Sequence, residues 1–531
     1  MMTPSPYQLA IYDWIRDGSG SASVIAVAGS GKTHTILEGL SHIPTHQSVR
    51  LFAYNRRIAD TLKGRIHRRN VEASTYHSSG YRAILAELHA RVETDKGKMR
   101  TLLRETLGET DRRAYGEDLQ KLVSQAKGVG MGALLPDTTE LWEDLIETYE
   151  LDFSWLVPPR LPDDDLDAYL RAEKARVIDL ARELLAASNR AALEPYAWSI
   201  DFDDQLYLPI LWKLALPTYD WVIVDEAQDT NVIQRAFIRG SLKDGGRVLV
   251  VGDPRQAIYA WRGATHNAMD LLGEEFDCQT FPLSVCYRCG RRIVEKAQSL
   301  VPQIEAWPEG IEGEVLEDVP LSVLPTLPSS SVILCRTNAP LVKTAYQLIA
   351  AGIGVRVLGR DIGEDLQKLI RKLHPESVED LETKLVNYKL KEVARHRRAG
   401  DDAKADRVTD QVQCLQVIIE GAGSDEDRTL EGIEEAIDDL FGDRDAERLT
   451  LSTIHKAKGE EWPVVAIIRH WQIPIRWAKT ELAIQQEMNL LYVAYTRAKE
   501  RLLIMDDKPE WVKRKERGEA REEGEYGGQD Y

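Results

Sequence analysis

The chain has 531 residues, 43% of them hydrophobic and 29% charged. At about 150 residues per domain that is three or four domains, which excludes a peptide hormone, a small adaptor or one isolated binding module. The formal charge of −18 means that the molecule as a whole repels nucleic acid, so any such contact must come from local basic patches.

Short β-branched runs appear in chain order at Val24 to Val27, Val49 to Phe52, Trp221 to Val224, Arg247 to Val251, Val332 to Leu334, Val464 to Ile468 and Leu502 to Ile504. Near-continuous apolar strands of this kind belong to parallel sheets covered on both faces. Helical stretches separate them, so the expected class is α/β with doubly wound sheets. A Pro- and Ser-rich stretch, Pro320 to Ser331, divides the strands into an early and a late group. We therefore expect a first sheet domain from residues 1–79 and 200–275 and a second from 276–360 and 449–507. Helical insertions are expected at 80–199 and 361–448, and a flexible charged tail at 508–531. The second insertion is polarised: residues 368–398 carry nine Lys or Arg against five acids, and 399–448 carry five against sixteen. That pattern reads either as a solvated helical hairpin or as a basic face toward nucleic acid.

No apolar run reaches the roughly 18 residues that cross a bilayer, and the opening MMTPSPYQLAIYDW lacks a basic stretch ahead of an apolar one. A cytoplasmic protein without membrane contact is expected. Five cysteines are too few for a disulfide framework. Cys286 and Cys289 have the spacing of half a zinc site, but no second pair follows, so structural thiols are the expectation.

The first strand runs into AVAGSGKT, Ala26 to Thr33, which fits G-x-x-x-x-G-K-S/T except that Ala26 replaces the first Gly. Gly29 and Gly31 let backbone N–H groups, with Ala28 and Ser30, curl around phosphate oxygens. Lys32 reaches the β- and γ-phosphates, Thr33 ligates Mg²⁺, and the helix N-terminus adds its dipole. The strand at Trp221 to Val224 delivers Asp225 and Glu226 to the edge where open α/β sheets bind ligands. Asp225 can hold Mg²⁺ and Glu226 can polarise a water. Together the two motifs specify hydrolysis of ATP with Mg²⁺.

These residues, with others in the same order, resemble superfamily 1 DNA helicases of the UvrD/Rep type. Ser5-Pro6-Tyr7-Gln8 resembles the Q motif, Ala26 to Thr33 motif I, Phe52 to Ala59 motif Ia and Thr75 to Ser78 motif Ib. Asp225 to Thr230 (DEAQDT) is similar to motif II and Val251 to Ala264 (VGDPRQAIYAWRGA) to motif III. Cys286 to Arg288 resembles motif IV, Leu451 to Pro463 motif V and Leu491 to Ala498 motif VI. The resemblance implies two RecA-like P-loop domains, each carrying a mainly helical insertion. It implies that Gln8 reads adenine, Tyr287 stacks on it, Glu461 contacts the ribose and Gln256 links the γ-phosphate to the DNA site. It further implies that Arg288 and Arg497 reach the γ-phosphate. Two departures stand out: Ala53 lies where relatives carry an aromatic, which leaves base stacking absent or passed to Tyr54 beside Asn55, and His34 follows Thr33 where relatives often have Arg.

The stretch Arg56 to Asn70 carries six basic residues, Arg56 and Arg57 among them, against one acid. Ile58, Leu62 and Ile66 recur every four residues, so a helix with a core face and an exposed basic face is expected. In motif III, Tyr259 and Trp261 would point to one side of an extended segment and offer flat faces for bases, beside Arg262. The resemblance adds Thr75, His77, Thr453 and His455 to the DNA contacts. The expected protein is an ATP-dependent helicase that walks on single-stranded DNA and opens duplex at single-strand/double-strand junctions, with 3′ to 5′ polarity and a monomeric state implied by resemblance alone. Repair or replication proteins are its expected partners. The alternative is a DNA-stimulated ATPase that needs a partner to unwind, which the short second insertion favours.

Overall fold

The computed structural model describes residues 3–53, 56–90, 92–148, 163–194, 198–258, 267–398, 402–421, 429–442, 448–509 and 512–513. Most of the tail expected from 508 therefore lies outside the described residues. The chain forms two compact units: Met1–Tyr287 with Gln303–Trp307 and Glu392–Ala405, and Arg288–Pro302 with Pro308–Lys391 and Asp406–Tyr531.

The first unit is built on six strands: β1 (Ser21–Ala26), β2 (Val49–Ala53), β3 (Val71–Thr75), β4 (Tyr219–Asp225), β5 (Leu242–Gly252) and β6 (Cys278–Leu283). They pair in the order β3-β2-β4-β5-β1-β6, all parallel. This first sheet thus runs past residue 275, the boundary expected from sequence. Two short strands follow, β7 (Val285–Cys286) and β8 (Glu305–Ala306), paired with each other.

Burial explains the apolar runs. Val222 and Val224 of β4 join a core with Phe52, Val248 and Val250, while Trp221 and Ile223 join another with Ile11, Leu40, Leu51 and Leu249. Alternate side chains thus enter opposite faces, so a strand covered on both sides must be apolar at every position. Each buried Val or Ile contributes roughly 1.5–3 kcal/mol.

Helices flank this sheet. α1 (Pro6–Asp17) starts with Pro6 behind a capping box of Ser5 and Gln8. α2 (Lys32–His42) follows β1, and α3 (Arg56–Arg65) follows β2. α3 is shorter than the helix expected to reach Asn70; past its end Arg68 donates to the Ile43 carbonyl at 2.6 Å. Lys63, Arg65 and Arg69 are exposed. After β3 come α4 (Tyr76–Leu88), α5 (Lys98–Thr106), α6 (Glu109–Val129), α7 (Thr139–Thr148), α8 (Asp163–Ala191) and α9 (Asp204–Leu211). Leu119, Leu122, Trp142, Ala181 and Leu184 of this helical insertion share a core with Phe52, Val222 and Val224, which ties the insertion to one face of the sheet.

The second unit repeats the plan with β9 (Glu314–Pro320), β10 (Val332–Cys335), β11 (Val355–Val357), β12 (Leu449–Thr453), β13 (Trp462–Ile467) and β14 (Ala498–Asp506). The order is β11-β12-β10-β13-β14-β9, again all parallel. Its insertion consists of helices Arg360–Leu373, Val378–Arg398, Asp402–Gly421 and Leu430–Phe441, except that the stretch Glu392–Ala405 within them groups with the first unit. Leu381, Leu415, Ile418 and Ile433 from them share a core with Ile333, Val357 and Ala466 of the sheet. Asp410 pins the insertion down by accepting from the Ala339 N–H at 2.7 Å and the Asn338 N–H at 3.0 Å, at the start of helix Ala339–Ala350. No helix among the described residues is long and apolar enough to cross a membrane.

Gly80 sets how closely α4 approaches α9: a Cβ there would lie 1.9 Å from the Gln205 carbonyl oxygen and 2.9 Å from the Phe237 ring. Gly80→Ala should therefore destabilise the first unit by about 1–3 kcal/mol through overpacking. An unchanged denaturation midpoint in urea would contradict this packing.

Candidate active site

In a parallel sheet every strand ends at the same edge, and in the first unit this edge carries residues expected at phosphate and residues expected at nucleic acid. β1 leads into Val27 to Gly31, where Gly29 (φ 68°) and Gly31 (φ 79°) take the left-handed conformation that disfavours any Cβ. Ser30 Oγ is buried without a hydrogen-bond partner among the described residues, as expected of a loop whose polar groups serve an anion. Ala28 is buried and His34 exposed.

Lys32, first residue of α2, forms an ion pair of 2.7 Å with Glu226. Burial disfavours its charge, but Glu226, Asp253 and Asp225 outweigh burial and hold the ammonium above the ordinary lysine pKa. Glu226 itself sits at φ 53°, a strained position for a residue with a Cβ. Asp225 accepts from the Glu226 N–H at 2.9 Å and from the Thr33 hydroxyl. Burial and the Glu226 charge push Asp225 up to about 7.

A hydrogen-bond chain leaves this cluster. Gln228 Nε2 donates to Glu226 at 2.6 Å, and Gln228 Oε1 accepts from the Asp253 N–H at 2.9 Å. Asp253 then accepts from Gln256 Nε2 at 2.6 Å. Gln256 is thereby joined to Glu226 through Gln228 and Asp253, two residues to which the sequence assigned no role.

The structure brings Gln8 and Tyr287 together. Tyr287 donates from its hydroxyl to Gln8 Oε1 at 3.2 Å and from its N–H to the Gly29 carbonyl at 2.9 Å. Gln8 Oε1 also accepts from the Ser5 N–H at 3.0 Å, and Nε2 donates to Thr35 at 3.0 Å. The amide expected to read adenine is thus fixed by α1, α2 and Tyr287.

Among the residues expected at nucleic acid, those on β2 and β3 lie where the two strands end in register, Ala53 opposite Thr75. Thr75 caps α4, its hydroxyl accepting from the Ser78 N–H at 3.2 Å. His77 stacks on Phe202 with centroids 3.8 Å apart and planes at 18°. Burial lowers His77 to about 4, so its ring is neutral at physiological pH. Phe202 is 59% exposed; the sequence reading passed over it, since an aromatic beside acidic residues gives no sign of facing water. Arg56 is exposed and 3.6 Å from Asp60. Tyr54, Asn55, Tyr259, Trp261 and Arg262 lie outside the described residues, as does the side chain of Arg57.

In the second unit, Arg288 donates to Glu461 at 2.6 Å and to the Thr496 carbonyl at 3.2 Å. Lys499, which the sequence did not single out, pairs with the same carboxylate at 2.6 Å. Burial raises Glu461, yet Lys499 and Arg288 prevail and hold it below the usual glutamate range. The expected ribose contact is therefore engaged by two cations. Arg497, expected at the γ-phosphate, is buried and donates to the carbonyls of Val493 and Glu460, each at 3.1 Å. Its guanidinium would have to leave these carbonyls to meet a phosphate. Thr453 ends β12 and accepts from the Lys456 N–H at 3.4 Å, with His455 half-buried beside it. Cys286 and Cys289 are buried thiols, Cys289 lying 3.7 Å from the Thr496 carbonyl oxygen. Among the described residues no group of three or more His, Cys, Asp or Glu is placed to hold a metal ion.

Residues 13–277 match the family described as the UvrD/REP helicase N-terminal domain, and residues 358–508 match the UvrD-like helicase C-terminal domain. The chain is 27% identical over 308 residues to the ATP-dependent DNA helicase Rep of Salmonella typhimurium, covering 53% of this chain and 41% of that protein. It is 26% identical over 308 residues to the protein of the same name from Escherichia coli, with the same shares covered. To DNA helicase II of Salmonella typhimurium it is 34% identical over 137 residues, covering 24% of this chain and 19% of that protein. The match thus spans 41% of the length of the two Rep proteins.

A carboxyl whose pKa rises on folding stabilises the fold below its unfolded value of about 3.9 and loses that contribution as the pH climbs through the folded value. For Asp225 the folded value is about 7. Asp225→Asn should accordingly gain stability relative to the native chain between about pH 4 and 7 and no more above that window. Denaturation midpoints of both proteins across the range check this, and identical pH profiles would contradict it.

Proposed function

The chain belongs to the UvrD/REP helicase family, and from that premise we propose that it is an ATP-dependent DNA motor, moving on single-stranded DNA and opening duplex at junctions. The observation that carries the reading is the hydrogen-bond chain from Glu226 through Gln228 and Asp253 to Gln256, which leads from the Lys32 cluster toward the motif III segment holding Tyr259, Trp261 and Arg262. Any change in the charge around Glu226 acts on that chain directly. The 3′ to 5′ direction rests on the resemblance.

In this reading Lys32 binds the β- and γ-phosphates, and an incoming phosphate competes with Glu226 for its ammonium. Glu226, released from Lys32, accepts a proton from the attacking water. Thr33 and Asp225 suit Mg²⁺ in chemistry: a hydroxyl and a carboxylate, oxygen donors both, in a cluster where Asp225, Glu226 and Asp253 face one ammonium. When bound, Mg²⁺ would offset phosphate charge. Tyr287 and Gln8 bind the base, and Glu461 the ribose. Arg288 and Arg497 are assigned the charge that develops on the γ-phosphate. On the nucleic-acid side we assign Thr75, His77 and Arg56, with Phe202 added on the strength of its exposed stack with His77.

Steady-state ATPase measured with and without single-stranded DNA tests the reading. The expected result is strong stimulation by DNA in the native chain. Glu226→Gln should still bind ATP but hydrolyse it on the order of 10²–10⁴-fold more slowly. A native rate indifferent to DNA would overturn the proposal.

A further inference from the structure

Phe202 is 59% exposed, and the contact that places its ring is the stack on His77, centroids 3.8 Å apart. The turn that carries it is held from below by four buried charges. Asp201 and Asp204 flank the ring in sequence, and each accepts the other's N–H: Asp201 N–H to Asp204 Oδ2 at 2.9 Å, and Asp204 N–H to Asp201 Oδ1 at 2.8 Å. Lys127, at the end of α6, reaches Asp201 at 2.9 Å and Asp204 at 2.7 Å. Lys98, at the start of α5, reaches Asp204 at 2.6 Å and the Ser188 carbonyl of α8 at 2.8 Å. Both lysines are 1% exposed and Asp204 is fully buried.

The two ammonium groups face the two carboxylates, with Asp203 near enough to act on Lys127 as well. Both oxygens of Asp201 and Oδ2 of Asp204 accept hydrogen bonds, and Asp204 Oδ1 meets Lys127 as an ion contact. Pairing of this kind is what lets buried charge be tolerated. Such a cluster has one geometry. Its bonds are directional, and buried ionic groups of this kind are known to fix one arrangement of the chain rather than to add stability. What they fix is the 201–204 turn, and hence the height and angle of the Phe202 ring against His77, which α4 brings from the end of β3. A cavity of about 650 Å³ opens beside this ring, lined also by Met99, Lys96 and Lys121, with Lys127 and Asp201 in its wall.

We infer that Lys98 and Lys127 are positioning residues: by clamping the turn from Asp201 to Asp204 they hold Phe202 stacked on His77, so that the pair presents one fixed aromatic face to a base of the tracked strand. The inference rests on the proposed placing of His77 in the DNA path. Neither lysine touches DNA; each acts through the ring.

The test uses the full chain and oligo(dT), reading the DNA concentration that half-saturates the ATPase alongside the KM for ATP and the DNA-free rate. Phe202→Ala should raise the half-saturating concentration about tenfold, within the range measured for loss of one base–aromatic stack. Lys98→Met should raise it about fivefold, leaving the KM for ATP and the DNA-free rate unchanged. The double variant Lys98→Met/Phe202→Ala should need no more DNA than Phe202→Ala alone, since the lysine works through the ring. Asp201→Asn keeps the shape of the turn while weakening its bond to Lys127, and carries the same test if Lys98→Met does not fold. Multiplying effects in the double variant would overturn the inference, as would a native DNA requirement in folded Lys98→Met and Asp201→Asn, or a parallel loss of DNA-free ATPase in Asp201→Asn. An ATPase still stimulated by DNA but insensitive to Phe202→Ala would instead remove the His77 stack from the DNA path, and the inference with it.

Discussion

A single ammonium, that of Lys32, answers three carboxylates, Asp225, Glu226 and Asp253, at one edge of one parallel sheet. That imbalance is the constraint on which the rest of the first unit depends. Three like charges within reach of one another are tolerated only if something holds them, and each is held differently: Asp225 by burial that favours its neutral form, Glu226 by the ion pair, Asp253 by Gln256. A phosphate that takes Lys32 removes the counter-ion of Glu226 and must be accompanied by cations. The site is therefore poised by its own electrostatics to respond to a charged ligand, and the strained backbone at Glu226 is a cost borne where the response begins.

The sheet makes that response available elsewhere. Because its strands are all parallel, β1, β4 and β5 bring the residues proposed to hold phosphate to the edge at which β2 and β3 deliver Ala53 and Thr75. The helical insertion shares a core with the same strands, so the turn bearing Phe202 is anchored to the sheet that carries Lys32. Gln228 and Asp253 fill the remaining gap with hydrogen bonds whose donors and acceptors are fully specified, and a chain of that kind transmits a change in one partner's charge to the next.

The phosphate loop, the acid pair and the central strands were legible in the sequence because each is dictated by a requirement that leaves few choices of residue. Seven strands announced themselves as continuous apolar runs since both their faces are covered. The strands that did not are at the margins or alternate: β3, β6, β9 and β11 are edge strands, half-solvated and free to carry Glu72, Pro282, Asp318 or Arg356. β12 lies inside its sheet but alternates Leu449 and Leu451 with Thr450 and Ser452, the pattern of a half-solvated strand and not the continuous apolar run that marks the other interior strands. The basic helix ends at Arg65, just past Gly64, short of Asn70, and Arg68 beyond its end bonds to the Ile43 carbonyl, a contact that helical periodicity does not reveal. Lys98 and Lys127 were indistinguishable from surface lysines, and Phe202 from a core aromatic, since burial of a charge and exposure of a ring are decided by partners distant in sequence. Arg497 was legible as a residue but not as a buried one.

The central claim is that hydrolysis at the Lys32 cluster is converted into movement along one DNA strand. Its most direct test is a single-round stopped-flow measurement on single strands of increasing length, fluorescently labelled at the 5′ end, with ATP and a trap for released protein. The account predicts that the delay before the protein meets the label grows in proportion to strand length, and that no delayed arrival at the label occurs with a non-hydrolysable ATP analogue. A delay independent of length in the presence of ATP would contradict it.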